Sequence, residues 1–294
     1  MNERAALGEG GPSALLHVGE GCTFWVGTNG YLGSHQGAVA VHLVGLYGKF
    51  RLRMRGGEWL LCEAAIVPPG EWHELDFGGE PFAALYIEPN LGAFGALSPL
   101  LQNQRAAGRA LIGTAPEAAL LRCLYEDRLG EVWAGAALDD VLDYSRRRSG
   151  AASLDPRLSR VVDCLHAHCD ELTPAAELAR AIGLSSSRLQ HLFTREIGVP
   201  FRRYRAWSRL RAAWREIARG SNFTTAAHQS GFSDSAHFAR EFRRTFGSVA
   251  SNGLRQGLRF FEPHPPMGRR PVELRDPPLD TQRPARAAWP GLDP

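Results

Sequence analysis

The sequence predicts an α+β chain, with a strand-rich amino-terminal half and an all-helical carboxyl-terminal domain. Three observations carry that expectation. Between residues 37 and 90 apolar and polar residues alternate in short runs, the period of two that belongs to a half-buried strand. From residue 154 the period becomes helical, and one helical pattern recurs 49 residues later. Charge follows the same division. Residues 1–152 carry 12 Lys/Arg against 17 Asp/Glu, a balance of −5, whereas residues 153–261 carry 17 against 9, a balance of +8.

In the first half, "KFRLRMR" alternates Phe50, Leu52 and Met54 with Arg51, Arg53 and Arg55, so one face is buried and the other charged. "AVAVHLVGLYG" and "FAALYIEP" also read as strands, and "VPPGEWHELDFGGEP" joins two strands through a Pro-Pro-Gly turn. Several short strands with frequent turns predict a small barrel or sandwich over residues 1–94. Residues 95–145 return to helical patterning, from Leu97, Leu100 and Leu101 to Leu138, Val141 and Leu142. They serve either a dimer contact or packing on the strands. "RRRSGAAS" at 146–153 has linker composition. The Pro-rich end at 262–294 has no apolar period and is expected to be disordered.

The second half is a doubled pattern. "GLSSSRLQHLFTREIG" spaces Leu189, Phe193 and Ile197 four apart before Gly198. "GFSDSAHFAREFRRTFG" repeats this with Phe238, Phe242 and Phe246 before Gly247. A short apolar helical pattern precedes each, "AAELARAIG" and "TTAAHQSG". Ser185, and Ser233 or Asp234, stand where a helix needs a cap. Helix, Gly turn and second helix is the helix-turn-helix signature, and two copies at a fixed offset are stronger evidence than one. Between them "PFRRYRAWSRLRAAWREIARG" carries a stripe of Tyr204, Trp207, Leu210, Arg211, Trp214 and Ile217. One long helix is expected there, opening at Pro200 and closing at Gly220.

Two helix-turn-helix units joined by a long helix, closing with "GFSDSAHFAREFRRTFG", resemble the DNA-binding domain of AraC/XylS-type transcriptional regulators. The resemblance covers residues 154–259, within a DNA-binding domain expected at 154–261. It departs after Gly247, where the family usually has Ser-Pro and then Tyr-Arg but this chain has "SVASNGLR". The strand-rich half, "PPGEWHEL" above all, is similar to the cupin-type sensor domain that often precedes such a domain. The resemblance implies double-stranded DNA, a small-molecule effector and RNA polymerase as partners, and often a homodimer. A helix reads bases from residues near its start, which makes Ser187, Gln190, His191 and Arg195 the candidates in the first unit. Ser235, His237 and Arg240 are those in the second, with Arg243 and Arg244 as phosphate contacts. Trp25, His35, Trp59, Trp72 and His73 are candidate effector contacts at the barrel mouth; a purely core role for these aromatics is open.

Other functions are weighed on the same residues. His35, His42, Glu71 and His73 are the candidate ligands of a cupin metal enzyme, but His35 is followed by Gln36, so the usual His-x-His pair is missing and no metal or other cofactor is expected. A DNA-repair methyl acceptor needs a reactive Cys, whereas Cys164 and Cys169 sit in "VVDCLHAHCDEL", an amphipathic helical pattern. Five cysteines with no CxxC point to reduced cytosolic thiols. No secretory leader is expected, and no stretch of 18 apolar residues occurs, so a membrane span is not expected. The expectation is a cytoplasmic, non-enzymatic regulator.

Overall fold

The computed structural model describes residues 12–19, 21–92, 94–126, 131–149, 153–167, 173–250 and 258–261. The Pro-rich end, Cys169, residues 150–152 of the expected linker and all of "SVASNGLR" after Ala250 lie outside them.

The strands are β1 (Ala14–Val18), β2 (Cys22–Thr28), β3 (Tyr31–Gln36), β4 (Ala40–Gly45), β5 (Phe50–Met54) and β6 (Trp59–Cys62). They continue with β7 (Ala64–Val67), β8 (Trp72–Asp76), β9 (Pro81–Ile87), β10 (Gln102–Ala107), β11 (Ala110–Thr114) and β12 (Leu258–Phe261). They form an eight-stranded sheet, β10-β11-β7-β4-β9-β2-β1-β12, and a four-stranded sheet, β3-β8-β5-β6. Between the sheets lies a core of Leu32, Val41, Leu52, Leu75, Phe82 and neighbours. The outer face of the larger sheet buries Phe24, Val26, Val44 and Ile66 against helices. Burial on both faces explains why its strands read as near-continuous apolar runs. In β5, Phe50 and Leu52 are buried while Arg51 is exposed; Arg51 and Arg53 pair with Asp76 and Glu74 on the neighbouring strand.

The helices are α1 (Ala118–Tyr125), α2 (Glu131–Ser149), α3 (Pro156–Ala167), α4 (Ala175–Ala181), α5 (Ser186–Ile197), α6 (Phe201–Ala218), α7 (Phe223–Gln229) and α8 (Ser235–Phe246). Residues 95–145 are not wholly helical: β10 and β11 form a hairpin that extends the sheet through β7. β10 is short and polar and β11 only five residues long, so neither gives much period to read. Leu121, Leu124 and Leu138 pack on the sheet, which favours the packing alternative for these side chains. Helix α2 continues through Ser149, over the first half of the stretch with linker composition. β12 follows the helical domain yet pairs in parallel with β1, so the chain returns to the first half.

Candidate nucleic-acid interface and its link to the β-rich half

Local chemistry builds both helix-turn-helix units in the same way. Ser185 accepts a hydrogen bond from the Arg188 amide and starts α5. Asp234, not Ser233, does this for α8 through the His237 amide at 2.7 Å. Each cap satisfies one of the open N–H groups at a helix start. The two helices end on Gly198 (φ 87°) and Gly247 (φ 73°), left-handed positions that suit glycine. Leu189, Phe193 and Ile197 fill the first unit's core, and Phe238 and Phe242 the second's. Helix α6 separates the units and buries Tyr204, Trp207, Leu210 and Trp214.

This burial fixes which faces remain outside. Ser187, Gln190, His191 and Arg195 are exposed on α5, and Ser235, Arg240, Arg243 and Arg244 are exposed on α8. His237 is half-buried, its Nδ1 3.1 Å from the Ser233 hydroxyl. Arg195 is paired with Glu196 at 2.8 Å, an exposed pair that is readily exchanged for another anion. The exposed face of α5 also presents Arg188, which the sequence reading omitted although it lies one residue past Ser187.

The first half grips the ends of both candidate recognition helices. The Gly33 amide donates to the Gly247 carbonyl at 3.0 Å, joining β3 to the end of α8. A Cβ on Gly70 would lie 2.8 Å from the Gly198 carbonyl, so the Pro-Pro-Gly turn rests on the end of α5. Ala38 and Val39 enter the first unit's core, and Leu16 and Val18 enter the second's.

A buried charged cluster reinforces the docking. Glu88, at the end of β9, is fully buried. Trp207 Nε1 donates to its Oε1 at 2.8 Å, the Tyr204 hydroxyl donates to Oε2, and Arg211 Nη1 lies 3.1 Å from Oε1. His166 Nε2 is 3.1 Å from Oε2. Burial pushes the Glu88 carboxyl up, but Arg211, His166 and Tyr204 outweigh it and hold it at about 2. Arg211 also donates to the Gly19 carbonyl and to Thr23 Oγ1. The one hint in the sequence was an arginine on the apolar stripe of α6.

The candidate effector residues divide. Trp25, His35 and His73 line a cavity of ≈ 80 Å³ closed on the other side by Trp214, Phe242 and Phe246. Trp59 and Trp72 do not line it. Trp59 instead stacks under Arg51 and Arg53, at 5.5 and 4.7 Å from its ring centre, and Trp72 pairs with Gln36 at the strand register. Tyr86, Phe242 and Phe246 belong to the cavity wall although their spacing marks them only as core. Of the four candidate metal ligands His35 and His73 are neighbours, but His42 and Glu71 are held elsewhere. His42 bonds Glu117 at 2.6 Å and Glu71 pairs with Arg109 at 2.7 Å, and no group of three or more His, Cys, Asp and Glu is placed to hold a metal among the described residues. Cys164 is buried in the first unit's core. No helix among the described residues is long and apolar enough to cross a membrane.

Comparison with known proteins bears on these units directly. Residues 178–256 match the Helix-turn-helix domain family. The carboxyl-terminal domain is an AraC-type helix-turn-helix domain. Uncharacterized HTH-type transcriptional regulators of Staphylococcus aureus strains N315 and MW2 are each 32% identical to it over 90 residues, 30% of this chain. The match spans only 12% of those relatives' length. The matched family and relatives are those of transcriptional regulators, not enzymes. The wider fold is similar to apo ToxT from Vibrio cholerae, with TM-score 0.55 and 11% identity over 79% of this chain and 97% of that one. It is also similar to wild-type ToxT with an unsaturated fatty acid bound, with TM-score 0.51 and 11% identity over 80% and 95%. The AraC-type domain thus sits beside a β-rich half in an arrangement that a known structure shares.

Proposed function

We propose that the protein is a sequence-specific transcription regulator that reads two adjacent major grooves and is controlled by a small molecule held between its halves. One observation carries the reading: both recognition helices expose their starts while their ends rest on the β-rich half through Gly198 and Gly247. An exposed helix start can enter a major groove, and an anchored helix end links its position to the other domain. If α6 sets the two helices on one DNA face, they enter grooves about one turn, roughly 34 Å, apart. Ser187, Gln190, His191, Ser235, His237 and Arg240 then read bases, while Arg195, Arg243 and Arg244 hold phosphates.

Control follows from the cavity, whose walls come from both halves. A ligand held there touches walls from both halves, and one that fits one arrangement of the halves better than another shifts the population of domain arrangements. The similarity to ToxT, a structure of which holds an unsaturated fatty acid, supports a small-molecule ligand here. Cytoplasmic location, a homodimer and contact with RNA polymerase complete the reading. Its test is selection of random duplex DNA by the purified protein at fixed, stated salt, because phosphate contacts make affinity salt-dependent. The expected result is an enriched motif with two sub-sites about ten base pairs apart, duplicated if a dimer binds. Salt-sensitive binding to all sequences alike overturns the reading.

A further inference from the structure

The cavity between the halves has an unusual polar content. None of its lining residues is Lys, Arg, Asp or Glu. Two buried cations stand behind the lining: Arg203 bonds Glu241 at 3.1 Å and the carbonyls of Gln36 and Arg244, and Arg211 bonds Thr23 and pairs with Glu88. Its polar side chains are two histidines together with Thr23, Asn29, Tyr86, Thr245 and Ser248. His35 and His73 are cross-strand partners on β3 and β8, with ring centres 4.1 Å apart, and only 4% and 3% exposed.

Their hydrogen bonds fix the tautomers. His35 Nδ1 lies 2.7 Å from the Gly33 carbonyl, and His73 Nδ1 lies 2.9 Å from the Glu71 carbonyl. A carbonyl oxygen can only accept, so each Nδ1 must carry the proton. In a neutral ring Nε2 is then a bare acceptor. Neither Nε2 has a partner among the described residues. Burial holds both rings neutral: it pushes His35 well below its ordinary range, with His73 adding to the effect, and pushes His73 to about 4. Around them Trp25, Phe82, Tyr86, Phe242 and Phe246 make an aromatic wall.

We infer that the cavity selects an uncharged, largely apolar molecule, aromatic in preference, that carries a hydroxyl or N–H donor to the His35 and His73 Nε2 atoms, and that it rejects carboxylates. This rests on the reading of the cavity as an effector site. A buried acceptor favours a donor ligand because a ligand without one leaves the lone pair unpaired. An anion finds no Lys or Arg in this lining, only the neutral donors of Thr23, Asn29, Tyr86, Thr245 and Ser248, and meets two bare lone pairs on the histidines, so its desolvation is less well offset than that of a neutral donor.

Phenol, toluene and benzoate are matched probes: a donor, its methyl counterpart and an anion. Binding to the full chain is measured by calorimetry and by the nitrogen resonances of the histidine rings, with affinity for the selected duplex followed in parallel. The free protein is expected to show both rings neutral with the proton on Nδ1. Phenol is expected to bind about tenfold more tightly than toluene, to move the Nε2 resonances, and to outbind benzoate; His73→Leu removes most of the phenol preference. Protonated rings, protons on Nε2, benzoate binding as tightly as phenol, or no binding of any probe overturns the inference. The wild-type comparison stands even if His73→Leu fails to fold. Phenol binding with the expected preference but without effect on duplex affinity keeps the ligand class and overturns effector control.

Discussion

Glu88→Gln is the sharpest perturbation of the link between the halves. The substitution keeps size but turns one of the two acceptor oxygens into an NH2 donor and removes the charge that faces Arg211 at 3.1 Å and His166 at 3.1 Å. At that distance one ion pair is worth about 5 kcal/mol of Coulomb energy at an effective dielectric of about 20, before desolvation. Both partners are sealed, Arg211 1% and Glu88 0% exposed, so water cannot replace the lost carboxylate. Breaking one side of a buried pair typically costs about 3–5 kcal/mol. At about 2–4 °C per kcal/mol for domains of about 150–250 residues, the midpoint should fall by roughly 6–20 °C. Calorimetry on the wild type, Glu88→Gln and the double variant with Arg211→Met measures this directly. The double variant should recover part of the loss, since the orphaned charge is gone. The acid limb gives a second check. The Glu88 carboxyl is lowered from 4.5 to about 2 in the fold, so its stabilisation is full above pH 4.5 and lost as pH falls toward 2; the variant should lose less stability across that window than the wild type. A loss under about 1 kcal/mol, the size of an ordinary substitution, or a double variant no better than the single, refutes the view that this cluster holds the halves together.

Arg240→Ala should weaken binding to the selected duplex by about 1–3 kcal/mol and relax preference at one base position; an equal loss on all sequences would reassign it to phosphate contact. Phe242→Ala should destabilise by about 3–5 kcal/mol, because the ring packs between Phe246 at 4.6 Å and Trp214 at 5.6 Å, and an unchanged melting curve would contradict its core role. Gly247→Ala should alter duplex affinity more than Gly220→Ala: both glycines have positive φ, but only at Gly247 would the Cβ meet the Gly33 carbonyl and His35 Nδ1, each at 2.6 Å, while Gly220 has nothing within 4 Å. Equal effects in binding assays would mean that the contact with β3 does not position α8.

What the sequence made legible was whatever local periodicity encodes. Leu189, Phe193, Phe238 and Phe242 repeat at helical spacing because each helix must bury one stripe, and the caps follow from the same local geometry. Phe50 and Leu52 alternate with Arg51 because one face of β5 is wet. The link between the halves was not legible, for a physical reason. Glu88 and Arg211 meet across 123 residues of chain, and no period relates them. His35 and His73 stand out by type, yet their pairing depends on a register shift between Leu32 and His35. Trp59 and Trp72 were candidates as aromatics at an expected barrel mouth; strand alternation puts them on the face that carries Arg51 and Arg53.

The several attachments constrain how the proposed control can work. The helical domain is held at the end of α5 by the Gly70 turn, at the end of α8 by Gly33, through α6 by Glu88, and beyond α8 by β12 pairing with β1. A wide swing would break all four, including a buried ion pair that is costly to separate. A shift of α8 against β3 disturbs the Gly33–Gly247 hydrogen bond, the Arg203 bonds to Glu241 and Arg244, and the cavity wall, but leaves the other three attachments in place. The cavity lies at that contact, with Phe242 and Phe246 on one side and His35 on the other. Control by the proposed ligand is therefore expected to act on the second unit, moving α8 relative to α5 while Glu88 keeps α6 in place.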